Sequence, residues 1–171
     1  MQTNIYTTRR SFLIPMFLDS VFLLVLLIIS IVDKKLPLET IVLAIICVPA
    51  LYIFLESAAR RTTIGEDGIT IRKLFRGKRL QWDHITNVDA MAVHKKVYLL
   101  LTTKRGFHAL ANSHGDFTSL VKDVVRHVDQ EKVEEYVTNI IEHPVKRISD
   151  IVSAWIASVI LLGAIILKIV Y

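Results

Sequence analysis

The sequence predicts an α+β membrane protein: three transmembrane helices carrying one small antiparallel β-barrel or sandwich, closed by a C-terminal helix. Three observations point there. Apolar residues make up 53% of the 171-residue chain while charged residues hold an ordinary 22%, so the apolar excess must be concentrated in segments. It is concentrated at the two ends, in runs long enough to cross about 30 Å of hydrocarbon as helices. Between them lie short β-prone runs, separated by glycine-containing turns and followed by one amphipathic stretch.

The apolar runs set the domain plan. Residues 1–11 form a short N-terminal segment, and residues 12–55 form a helical hairpin whose two spans are joined by Asp33-Lys34-Lys35-Leu36-Pro37. Pro49 interrupts the second span, where neighbouring helices can satisfy the backbone groups it frees. Residues 148–170 form the third span, with Lys168 near its end.

Flanking cations give the orientation. Arg9, Arg10, Arg60, Arg61, Lys146 and Arg147 lie on one side of the membrane, against Lys34, Lys35 and Lys168 on the other. Cytoplasmic flanks carry the excess of Lys and Arg. The expectation is a multi-pass protein of the bacterial cytoplasmic (inner) membrane, with the N-terminus and middle domain cytoplasmic and the C-terminus external. Thr8-Arg9-Arg10-Ser11-Phe12-Leu13 also resembles a twin-arginine export signal. No small-residue cleavage site follows it, however, and a second span begins within a few residues.

The middle of the chain reads as strands, then a helix. Residues 62–64 are β-prone and meet residues 69–74 through Gly65-Glu66-Asp67-Gly68, where Asp-Gly signals a hairpin. Residues 78–82 follow, with Leu80 and Trp82 placed on one buried face. Strands at 88–93, 97–103 and 107–111 complete the set. Asp116 can cap a helix in which Phe117, Leu120, Val121, Val124, Val125 and Val128 recur at helical spacing. Its apolar stripe suits the open end of a sheet. Residues 130–142 predict a further helix, with Asp129, Glu131, Glu134, Glu135 and Glu142 making the 129–143 segment an acidic stalk or docking helix.

The run from Arg60 through Gly68-Ile69 to Trp82-Asp83-His84-Ile85-Thr86-Asn87-Val88 resembles the bacterial pleckstrin-homology-like domains of small membrane proteins. A Gly-Ile strand there precedes a Trp-x-x-Ile-x-x-Val segment, further strands and a capping helix. The resemblance covers residues 60–128. It implies a scaffold for protein or membrane-surface contacts, without enzymatic activity and without a signature for inositol lipids.

Few residues carry chemistry. Asp19 lies about two turns into the first span, where an acid marks a partner contact, an ion or proton path, or a protonated or water-contacted group near the inner interface, helped by Ser20. Arg72, Lys73, Arg76, Lys78 and Arg79 form a basic cluster around the second hairpin, and residues 56–128 carry thirteen Lys and Arg against seven Asp and Glu. Such a cluster can meet anionic lipid, dock an acidic protein or stay solvated. Nucleic acid is not expected, since Phe75 is the only aromatic interleaved with it.

The six histidines (His84, His94, His108, His114, His127 and His143) lack metal-ligand spacing, and the lone Cys47 lies inside a span. No phosphate loop, nucleophile elbow or paired-carboxylate motif is present. No catalytic residue, metal or cofactor is expected. The functional expectation is a membrane-anchored interaction or scaffold module, an accessory subunit in contact with the lipid bilayer that docks a protein partner or a second copy of itself. The alternative is a subunit of a transporter or energy-coupling complex with Asp19 in the working path.

Reporters fused after Val128 and after Tyr171 are expected on opposite sides of the membrane, the first cytoplasmic. An external signal from the Val128 fusion would overturn the orientation.

Overall fold

A computed structural model describes residues 3–33, 37–93, 96–104, 106–112, 115–143 and 149–170. The chain divides into two compact units, residues 1–9 with 59–147, and residues 10–58 with 148–171.

The second unit is helical. Helices α1 (Arg10–Asp33), α2 (Pro37–Ala59) and α5 (Ser149–Val170) are long and apolar enough to cross a membrane. At 1.5 Å per residue the shortest extends about 33 Å. Helix α1 packs on α5, where the Ser158 hydroxyl reaches the Pro15 carbonyl at 3.4 Å; α1 buries Pro15, Ser20, Leu23, Leu26 and Ser30, and α5 buries Ser158 and Ile165. A small residue such as Ser158 at the contact lets the backbones approach closely, which matters where lipid removes the hydrophobic drive between helices. Helix α2 joins through the Ser30 and Thr40 hydroxyls, 2.8 Å apart, and through the rings of Phe17 and Phe54. Lys168 at the end of α5 donates to the carboxylate of Glu39 at the start of α2.

The first unit holds two antiparallel sheets. One has the order β1 (Asn4–Thr7), β2 (Arg61–Gly65), β3 (Gly68–Arg72), β4 (Gly77–Gln81). The other runs β5 (Ile85–Val93), β6 (Lys96–Thr103), β7 (Gly106–Ala111). Alternation is cleanest in β6, where Val97, Leu99, Leu101 and Thr103 are buried in turn. Both sheets feed one core: Ile64, Ile69 and Leu80 from the first, Val88, Leu99 and Leu110 from the second. Helix α3 (Phe117–His127) closes it with Phe117, Leu120, Val121 and Val124. Each such side chain contributes roughly 1.5–3 kcal/mol by leaving water. The Asp116 carboxylate caps α3, accepting the Ser119 backbone N–H at 3.0 Å and the Ser119 hydroxyl at 2.7 Å. Those two bonds hold its pKa below the ordinary value.

Gly68 is fixed by space and backbone. Its φ is +151°, and a Cβ there would lie 2.0 Å from the Leu80 carbonyl oxygen, so no other residue fits the close approach of β3 to β4.

Hydrogen bonding yields two separate antiparallel sheets over one core, the sandwich form of the expectation, and among the described residues no ladder closes them into a barrel. The sequence expectations change in three places. Trp82 packs against the same core as Leu80 but not as a strand residue, because β4 ends at Gln81 and Trp82 starts a 3-10 turn (Trp82–His84) that carries the chain to the second sheet. It is half-buried, its indole N–H donating to the Gly65 carbonyl at 3.0 Å and its ring stacked on His127. The acidic helix is split: Gln130–Lys132 is a 3-10 turn and only Glu135–Glu142 is α-helix, α4. Val133 between them bridges Val88 on the outer side of β5, and the Glu134 N–H donates to the Val88 carbonyl at 3.0 Å. That pairing interrupts the helix and lets Val137 and Ile140 enter the common core.

The third change is β1, which precedes the apolar hairpin yet pairs with β2 from Asn4↔Ile64 to Thr7↔Arg61. It is fastened from the side by α3. The Asn4 amide and the Tyr6 hydroxyl both donate to the Asp123 carboxylate, which is 8% exposed. Burial and the Asp123 bond raise the Tyr6 pKa. Burial alone would raise that of Asp123, but the donors Tyr6 and Asn4, with Arg126 and His127 nearby, outweigh it and leave the carboxyl below its ordinary value.

A depressed carboxyl pKa stabilises the fold above the unfolded value, about 3.9, and that contribution is lost as pH falls through the folded value. Tyr6→Phe removes a hydrogen bond to a charged group and is expected to cost about 1.5–3 kcal/mol at pH 7. Melting of the full chain, followed at Trp82 in a Trp155→Phe background, should show that gap shrinking below about pH 4. Equal melting of the two proteins at pH 7 would contradict the fastening.

Candidate functional site

The basic cluster lies on the β3–β4 hairpin, and strand alternation divides it. Ile71 pairs with Lys78 and Ile69 with Leu80, so Lys78 shares the inward side. Arg79 pairs with Thr70 on the opposite side and reaches Asp67 at 3.0 Å. Arg72, opposite Gly77 at the strand end, falls on the Arg79 side. Lys73 and Arg76 occupy the turn, which is closed by the Lys73 N–H donating to the Arg76 carbonyl at 2.7 Å.

Of the five cations, Lys73, Arg76 and Lys78 therefore line one open groove of about 630 Å³. Its other wall is β7, with Phe107, His108 and Ala109, and Ile71 and Phe75 complete the apolar lining. Phe75 is 81% exposed and Phe107 75%, an unusual state for rings that each carry a large apolar surface. The groove lies between β4 and β7, the outer strands of their sheets. Among the described residues no Asp or Glu lines it. Among the described residues none of its three cations has an ion-pair partner, in contrast to Arg79.

His108 sits on the inward side of β7, opposite the buried Leu101. Its Nε2 is buried and has no hydrogen-bond partner among the described residues. Burial, then the charge of Lys78, lowers its pKa, which favours the neutral ring at pH 7. The arrangement can hold an anionic group on three cations while apolar side chains rest against two rings. Phe107 and His108 were not identified from the sequence, where β7 reads only as a final short strand. Asp123 was also missed; its signal was a carboxylate between Leu120 and Val124 on an apolar helix face.

Asp19, the remaining sequence candidate, lies in the helical unit. The Ser158 hydroxyl of α5 is 2.5 Å from its carboxylate and 3.1 Å from the Ala154 carbonyl. The carboxylate thus joins α1 to α5. Among the described residues no group of three or more His, Cys, Asp or Glu converges as a metal site. His94 and His114 lie outside the described residues.

Residues 60–128 match the family model for the bacterial PH domain, and this stretch is a bacterial PH-like domain. Searches of curated proteins and of solved structures gave no match. The family match excludes β1 and α4, both of which the structure attaches to the same domain through β2, α3 and β5.

Proposed function

We propose, from the premise that residues 60–128 are a bacterial PH-like domain, that the protein is a non-enzymatic, membrane-anchored interaction module. It serves as an accessory or scaffolding subunit of the bacterial cytoplasmic membrane. Its N-terminus and PH-like domain face the cytoplasm and its C-terminus lies outside, following the flanking cations. The domain docks a protein partner.

One observation carries this reading: Lys73, Arg76 and Lys78, without ion-pair partners among the described residues, share a concave groove with exposed Phe75 and Phe107. Exposed aromatic rings beside arginine are the composition of protein-recognition surfaces and of the few residues that dominate their affinity. A bilayer surface would use the cations but not the concavity. A transport or coupling role with Asp19 in the working path is the weaker reading, since that carboxylate is engaged by Ser158 within the helix packing.

The test is a photo-crosslinking amino acid placed at Phe75 of the full chain in its native membrane. Irradiation is expected to give a discrete protein adduct that disappears when Arg76 and Lys78 are both changed to Glu. Adducts with lipid alone, or a protein adduct indifferent to those changes, would contradict the proposal.

A further inference from the structure

We infer that the partner of the groove is a second copy of this chain, whose acidic helix α4 seats on the basic groove of its neighbour. The inference rests on the interaction-module reading above and names its partner.

Helix α4 is two-faced. Val137 and Ile140 are buried in the domain core, while Glu135, Tyr136, Asn139 and Glu142 border an open recess on the other side. Residues 129–142 hold five acidic residues and one cation, Lys132, and Lys132 is already paired with Asp129 at 2.6 Å. Among the described residues Glu135 and Glu142 have no ion-pair partner. The same domain thus presents unpaired cations on one surface and unpaired carboxylates on another. Glu135 and Glu142 are two turns apart, about 10 Å along the helix, and bracket Tyr136 and Asn139.

The apolar groups match as well. Among the described residues the domain exposes three aromatic side chains: Phe75, Phe107 and Tyr136, the last 43% exposed. Two lie in the groove and the third lies on the acidic helix. Seating Tyr136 between Phe75 and Phe107 would bury all three, while Glu135 and Glu142 meet Lys73, Arg76 and Lys78. Because the two surfaces differ, the contact is head to tail, and it repeats from copy to copy unless the rotation closes a ring. Anchoring in one membrane raises the effective concentration of the surfaces for each other, so each contact can be weak. Charges at the rim make it salt-sensitive.

Charge exchange between copies tests this. Two differently labelled full-length chains are reconstituted together in liposomes, and energy transfer between them is measured. Folding of each variant is monitored by melting. Lys73→Glu with Arg76→Glu, and separately Glu135→Lys with Glu142→Lys, are each expected to weaken self-association at least tenfold. A mixture of the two variants should keep a reversed groove facing a reversed helix, and an intact groove facing an intact helix, and so restore pairing. A misfolded variant could not complement in this way. Absence of self-association in the wild type, indifference to either reversal, or failure of the mixture to pair would each overturn the inference. If the wild type does not self-associate while the Phe75 probe captures a different protein, self-docking falls and the interaction-module reading stands. If that probe captures only lipid, the interaction-module reading falls too.

Discussion

The PH-like domain depends on one buried carboxylate. Asp123, in the helix that closes the core, accepts from Tyr6 and Asn4 on a strand that lies on the far side of the apolar hairpin in sequence. Thr7 and Arg61 are paired neighbours in the sheet, so the chain leaves for α1 and returns from α2 at adjacent positions. Closing so long a loop is not prohibitive, since each doubling of length costs only about 0.6 kcal/mol. It does need compensation beyond a four-residue ladder at a sheet edge. Two donors on a charged, largely buried acceptor supply it, each bond worth about 1.5–3 kcal/mol.

The parts legible in the sequence were those with local causes. The apolar runs of α1, α2 and α5 announce themselves by length. The alternation of Val97, Leu99 and Leu101, the Asp-Gly turn and the Asp116 cap each act within a few residues. The illegible parts had distant causes. Nothing within Asn4-Ile5-Tyr6-Thr7 identifies a strand whose partner is residues 61–64. The break in the acidic helix comes from Val88, a strand that had already passed. Trp82 obeyed the need to change sheets, not the period of two.

The basic cluster shows the same division. Its five residues were visible as a charge run, but only pairing with β3 separates Lys78 from Arg79. Only the packing of β7 beside the hairpin brings Phe107 and His108 to the groove. In the helical unit, polar residues are used between helices: Asp19, the sequence candidate, with Ser158, Ser30 with Thr40, and Glu39 with Lys168. Such pairs let a polar group exist among apolar helices by satisfying it internally.

If β1 is an integral strand of the PH-like domain, β2 is an inner strand, hydrogen-bonded on both sides. Amide hydrogen exchange of the full chain at residues 61–65 tests this directly. The expected result is protection of every β2 amide to the level of β3, which lies between two strands. Fast exchange at alternate β2 amides, matching the outer strand β4, would show that β1 does not hold its place and would contradict the account.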